Sequence, residues 1–88
     1  MLTLRQLEVF GAAAKRLNLT EAGRTLSVTQ TAVSHAIKEL ENLLEVKLIK
    51  KMRTGIELTQ AGEAFRTDVE KMLYQRDDLL RIHSRKKI

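Results

Sequence analysis

The 88-residue sequence contains no cysteine, no proline and no tryptophan, and only four glycines. Lack of cysteine removes disulfides, thiolate zinc sites and thiol chemistry together, and is compatible with a reducing cytoplasm. With so few helix breakers and a wealth of Leu, Ala, Glu, Lys and Arg, the chain is expected to be mainly helical. Aromatic residues are nearly missing: Phe10, Phe65 and Tyr74 are the three. That is too few for the stacking platforms that hold single-stranded nucleic acid. No uncharged apolar run approaches the length of a membrane span or signal peptide, and Arg5 and Glu8 lie close to the N-terminus, so no membrane partner is expected. Catalytic signatures are also lacking. His35 and His83 lie far apart, no glycine-rich phosphate loop occurs, and Asp77-Asp78 reads as helix-surface charge. No enzyme, catalytic residue, cofactor or metal site is therefore expected.

What is present is basic. Sixteen Lys and Arg against eleven Asp and Glu give a net charge of +5 and a pI of about 9.9, consistent with an anionic partner. Eleven of the sixteen cations follow Leu44, so the excess sits in the second half. The length suits one small domain with a single core.

The chain is organised around the stretch from Ser27 to Leu44. Val33, Ile37, Leu40 and Leu44 recur at i, i+4, i+7 and i+11, one apolar stripe on a helix. Gln30, Thr31, Ser34, His35 and Lys38 fall on the opposite face. From Thr25 to Ile37 there is no formal charge, although charged residues make up 31% of the chain, and Arg24 and Lys38 bracket that window. Base edges need donors and acceptors of fixed geometry, whereas the DNA backbone needs cations, so neutral polar groups flanked by basic ones suit a groove-entering helix. A half-buried amphipathic helix with a solvated polar face carries the same pattern.

In chain order, Thr3 with Gln6 makes a capping box that starts a first helix, whose inward stripe is Leu4, Leu7, Phe10, Ala14 and Leu17. Asn18 with Glu21 opens a short second helix to about Leu26, with Ala22 and Leu26 inward. Gly23 costs that helix on the order of 1 kcal/mol relative to alanine, unless a neighbour approaches closely there, which is the expectation. Ser27 and Val28 turn the chain into the organising helix, a helix-turn-helix arrangement. Ser27 with Gln30 would be a capping box that ties up the Gln30 amide; Thr29 as N-cap leaves Gln30 free, and Thr29 is preferred because such proteins reach bases from the start of their second helix.

After Leu44 the period changes. Val46-Lys47-Leu48-Ile49 alternates, Lys50 to Gly55 reads as a basic turn, and Ile56-Glu57-Leu58 alternates again: a two-stranded wing able to grip phosphate or enter a minor groove. A solvated basic hairpin would look the same. Thr59 then caps a helix from Gln60 into the low eighties. Ala61, Phe65, Val69, Met72, Leu73, Leu79, Leu80 and Ile82 form its stripe, wider than so small a domain can cover. Phe65, Val69, Met72, Leu73, Leu79 and Leu80 are expected to meet the same helix of a second copy, although packing within one copy is the alternative. The basic tail from Arg81 to Ile88, with Arg85, Lys86 and Lys87, has no assigned role.

From Leu4 to Gly62 the sequence resembles the N-terminal DNA-binding domain of LysR-type transcriptional regulators. The resemblance lies in Arg5-Gln6-Leu7 with Phe10, Ala22 and Leu26, Val28-Thr29-Gln30, Ala32-Val33-Ser34, Ile37, Leu40-Glu41, Leu44, Leu48, and Leu58-Thr59-Gln60-Ala61-Gly62. It implies a winged helix-turn-helix followed by a long dimerising linker helix, with major-groove contacts at Gln30, Thr31, Ser34 and His35. The chain departs from the family pattern in several places. His35 stands where arginine is frequent, Thr31 where proline or serine is, and Glu45 where a turn glycine is. Lys51 replaces the first wing arginine, and Thr54 occupies the minor-groove arginine position with Arg53 one place earlier.

The expected architecture is three helices plus a two-stranded wing in residues 1–58, then a linker and dimerisation helix with basic tail in 59–88. The expected function is sequence-specific binding of double-stranded DNA, as a homodimer, in bacterial cytoplasmic transcription regulation. Contacts would come from Thr29, Gln30, Thr31, Ser34, His35 and Lys38 on the helix, Lys51, Arg53 and Thr54 on the wing, and Arg5 and Arg24 on phosphates. No effector ligand is expected on this segment, and Ile88 is expected to be a cut through a longer protein. A winged helix that pairs with a full-length relative instead of DNA is the alternative from another class.

Overall fold

Each helix begins where a side chain is available to cap it. The computed structural model describes residues 1–84, with elements α1 (Leu4–Arg16), α2 (Leu19–Leu26), α3 (Gln30–Leu44), β1 (Ile49–Met52), β2 (Gly55–Leu58) and α4 (Gln60–His83). Thr3 Oγ1 accepts from the Gln6 amide at 3.1 Å while Gln6 Oε1 accepts from the Thr3 amide at 2.9 Å, completing the capping box. Asn18 caps α2 by accepting from the Glu21 amide at 2.9 Å, Thr29 caps α3 through Ala32 at 3.0 Å, and Thr59 caps α4 through Gly62 at 3.0 Å. Ser27 is not a cap of α3; it ends α2 in the left-handed conformation, φ 60°.

Helices α1, α2 and α3 enclose the core, and α4 crosses α1. Leu7, Phe10, Ala14, Ala22, Val33, Ile37 and Leu40 are buried as their spacing requires, joined by Val9, Ala13, Leu19, Leu48, Ile56 and Val69. Three expected core positions are corrected. Leu4, Leu17 and Leu44 are each more than 40% exposed. Leu4 begins α1, Leu17 is its left-handed C-cap, and Leu44 is the last residue of α3, so periodicity extended to the helix ends overran the core. Leu26 is only half-buried.

Gly23 is where the helix-turn-helix closes. Its carbonyl accepts from the Val28 amide at 2.8 Å, and a Cβ there would lie 2.7 Å from the Val28 carbonyl oxygen, closer than a side chain tolerates. The close approach expected from the sequence is real.

The hairpin is antiparallel, pairing Ile49 with Leu58, Lys50 with Glu57, Lys51 with Ile56 and Met52 with Gly55. Its turn is therefore Arg53-Thr54, and Lys50 and Lys51 lie in β1 instead of in the turn. Val46 to Leu48 are not strand. The Glu41 carboxylate accounts for this: one oxygen, Oε2, accepts from the Leu48 amide at 2.8 Å and the Ile49 amide at 3.2 Å. Those amides thus bind α3 where sheet pairing was expected. From the hairpin's other side, the Ile56 amide donates to the Leu17 carbonyl at 3.0 Å.

Helix α4 is clasped at its start. The Thr59 amide donates to the Leu48 carbonyl at 3.0 Å, and Thr59 Oγ1 donates to the Lys47 carbonyl at 2.6 Å. A Cβ at Gly62 would sit 2.1 Å from the Leu48 carbonyl oxygen, so only glycine lets the helix enter here. Further along, Phe65 meets Phe10 edge-on with ring centroids 5.1 Å apart. Arg76 pairs with Glu8 of α1. The remainder of α4 runs out of the body, and with it the described chain extends 45 × 25 × 20 Å.

Candidate nucleic-acid interface

Because Thr29 is the N-cap, the Gln30 side chain is free at the first helical position; among the described residues it has no hydrogen-bond partner. Gln30, Thr31, His35 and Lys38 are exposed along α3 and Ser34 is half-buried. His35 Nδ1 lies 3.9 Å from Glu39 Oε2, and Glu39 Oε1 accepts from Gln6 Nε2 at 3.1 Å. The polar face of α3 is thereby tied to the start of α1. Thr29 is exposed but its hydroxyl is engaged as the cap.

Two clefts separate α3 from the hairpin. One, of about 440 Å³, has Ser34 and Lys38 on one wall and Lys50 and Lys51 on the other. The second, of about 360 Å³, places Gln30 opposite Lys51, Arg53 and Thr54, with Asn18 and Thr20 of the α2 start at its edge. The structure therefore brings Gln30, Ser34, Lys38, Lys51, Arg53 and Thr54 around two adjoining concavities. Thr29, Thr31, His35, Arg5 and Arg24 line neither.

The charges differ in their engagement. Arg5 meets Glu8 at 3.4 Å and Arg24 meets Glu21 at 3.0 Å, while Arg66, Arg76 and Arg81 pair with acids along α4 and with Glu8. Among the described residues Lys38, Lys50, Lys51 and Arg53 make no ion pair. Lys15 and Arg16 on α1 and Lys71 on α4 are unpaired as well, so four of the seven Lys and Arg that lack an ion pair among the described residues lie where α3 meets the hairpin.

Sequence reasoning missed Lys47 and Lys50 as members of the first cleft, because it placed them as wing charge without a wall to face. It also missed that Glu41 is buried, 9% exposed. The signal was available: Glu41 stands four residues after Ile37, on the apolar side of α3. The expected partner-facing residues of α4 divide. Val69 is 1% exposed and is corrected to packing within the protomer, while Phe65 and Leu73 are half-buried against the core and keep part of their surface exposed. Met72, Leu79 and Leu80 are exposed, as are Tyr74 and Ile82. Arg85, Lys86 and Lys87 lie outside the described residues. No helix among the described residues is long and apolar enough to cross a membrane, and none of their His, Asp and Glu side chains form a group able to hold a metal.

A three-helix body whose third helix exposes neutral polar groups beside a cationic two-stranded hairpin defines the winged helix-turn-helix class. The family model described as bacterial regulatory helix-turn-helix protein, lysR family, matches residues 4–63. The chain belongs to that family of DNA-binding transcription regulators, not to an enzyme family. It is 42% identical over 72 residues to the glycine cleavage system transcriptional activator of Escherichia coli K12, an alignment covering 82% of this chain and 24% of the relative. The chain thus spans about a quarter of the length of that relative and of its Haemophilus influenzae homologue. Among solved structures it is similar to the CbnR DBD–DNA complex, with a TM-score of 0.83 and 34% identity over 96% of this chain and all of that one. It is likewise similar to the BenM DBD in complex with catB site 1 DNA, with a TM-score of 0.90 and 26% identity over 96% of this chain and 94% of that one.

Proposed function

We propose that residues 1–58 read duplex DNA sequence-specifically and that residues 59–88 pair two copies, placing the protein in transcription regulation in a bacterial cytoplasm, at the nucleoid. The observation that carries this reading is the meeting of a neutral polar helix face with unpaired Lys38, Lys50, Lys51 and Arg53 across adjoining clefts. Solved relatives bound to DNA support it. Gln30, Thr31, Ser34 and His35 read base edges in the major groove, and Lys38 and Lys51 hold phosphates. Arg53 and Thr54 sit at the wing tip toward the minor groove. Arg5 and Arg24 exchange their exposed carboxylate partners for phosphates, and Thr29 sets the start of the reading helix against the backbone.

The pairing surface is the exposed part of the α4 stripe, Met72, Leu79 and Leu80, and two copies would match the two half-sites of an operator. The test is a salt titration of binding to random duplex and to a duplex enriched by selection, with solution mass measured alongside. A log–log slope of several units together with a preference of at least ~10³ for the enriched duplex is expected. Weak, salt-insensitive binding to both would transfer the domain to protein pairing.

A further inference from the structure

The first cleft has a composition that base reading does not explain. Ile37 and Ile49 line it together with four lysines, Lys38, Lys47, Lys50 and Lys51. Three of these make no ion pair among the described residues. The fourth, Lys47, reaches only Glu41, Nζ to Oε1 at 3.8 Å, with its side chain 77% exposed. The other Glu41 oxygen is already taken by two backbone amides, so this one carboxylate is the sole acid lining four ammonium groups. Glu57 stands opposite Lys50 across the hairpin without pairing with it.

The lysines also come from fixed positions. Lys38 is on α3, Lys50 and Lys51 are held in the paired strand, and the Lys47 carbonyl accepts from Thr59 Oγ1. A helix lying in a major groove has a phosphate ridge on each side. A hairpin fixed beside that helix must straddle one ridge, so the space between the two lies over the sugar-phosphate chain. Lysine suits that place, a compact charge with rotatable donors that fixes position without reading sequence.

We infer that this cleft is a seat for a backbone phosphate of the duplex, with Lys47 and Lys50 as contacts additional to Lys38 and Lys51. The inference rests on the duplex binding proposed above. Lys47→Gln and Lys50→Gln are made singly in the full chain, and salt slopes are measured on random and on enriched duplex. Each variant is expected to show a slope shallower by about 0.9 and a loss of about eightfold at 0.1 M salt, the counterion-release factor for one phosphate. The loss is equal on both duplexes. Lys47→Gln also removes a contact to Glu41, so Lys50→Gln, which breaks no ion pair, decides where the two differ.

Unchanged slopes in both variants, with a slope of several units in the unaltered chain, would remove the seat and leave duplex binding standing. Failure of the unaltered chain to bind either duplex would remove both. A loss confined to the enriched duplex would make the lysines base readers and overturn the seat. Saturable binding of inorganic phosphate at the Ile49 and Lys50 amide resonances without DNA, with the Lys50→Gln slope unchanged, would assign the cleft to a free anion and overturn the backbone source.

Discussion

At the level of single residues, the same helix surface separates two kinds of role. Gln30 and Ser34 are neutral and line the two clefts. Replacing either by alanine is expected to cost ~1 to 3 kcal/mol on an enriched duplex and little on random DNA; equal losses in a binding titration would reject them as readers. Glu41 has a structural task. Its loss in Glu41→Ala strands the buried Leu48 amide, so an unfolding free energy lowered by roughly 1 to 3 kcal/mol is expected in denaturant titration, and an unchanged midpoint would show that water takes over the two amides. Glu45 holds φ 57° with a Cβ, and Glu45→Gly is expected to raise stability by about 1 kcal/mol in the same measurement. A lowered midpoint would mean that the flexibility glycine brings to the unfolded chain outweighs the relieved strain.

At the level of elements, α1 and α4 are joined through a titrating contact. The Arg76 guanidinium hydrogen-bonded to Glu8 holds that carboxyl below its ordinary value of 4.5, against the opposing effect of burial and with help from Arg5. A carboxylate lowered in the folded state stabilises fully above its unfolded value and stops doing so as pH falls through the folded one. Stability is therefore expected to decline below about pH 4.5, and Glu8→Gln to flatten that part of the profile; superimposable melting profiles for the two chains would dismiss the contact. How far the elements were legible follows from the range of the forces that set them. The caps at Thr3, Asn18, Thr29 and Thr59 are local hydrogen bonds. Thr3 and Asn18 could be read from Gln6 and Glu21 three residues on, whereas at α3 the same local signal pointed to Ser27 and the choice of Thr29 came from the helix-turn-helix arrangement. The neutral face of α3, like the caps at Thr3 and Asn18, was legible within its own stretch of sequence. The start of β1 was not, because a carboxylate seven residues earlier takes the Leu48 amide. Nor was the inward turn of Phe65 and Leu73, which depends on where α4 crosses α1.

At the level of the whole molecule, the apolar residues that remain exposed late in α4 contribute little to one copy. Leu79 and Leu80 are about 60% exposed, so Leu79→Glu with Leu80→Glu is expected to leave the monomer's melting unchanged while lowering solution mass from dimer to monomer. An unchanged dimeric mass would place pairing on another surface. The long helix has one more effect. At 1.5 Å per residue its 24 residues extend about 36 Å, anchored at Thr59 and braced by Arg76. In an assembly built on α4 it is a lever arm: tilting it by about 5° moves its far end by ~3 Å, close to the 3.4 Å step between successive bases. In a dimer built on α4, the Glu8–Arg76 pair would resist that tilt and so limit how far the spacing of the two joined domains can drift.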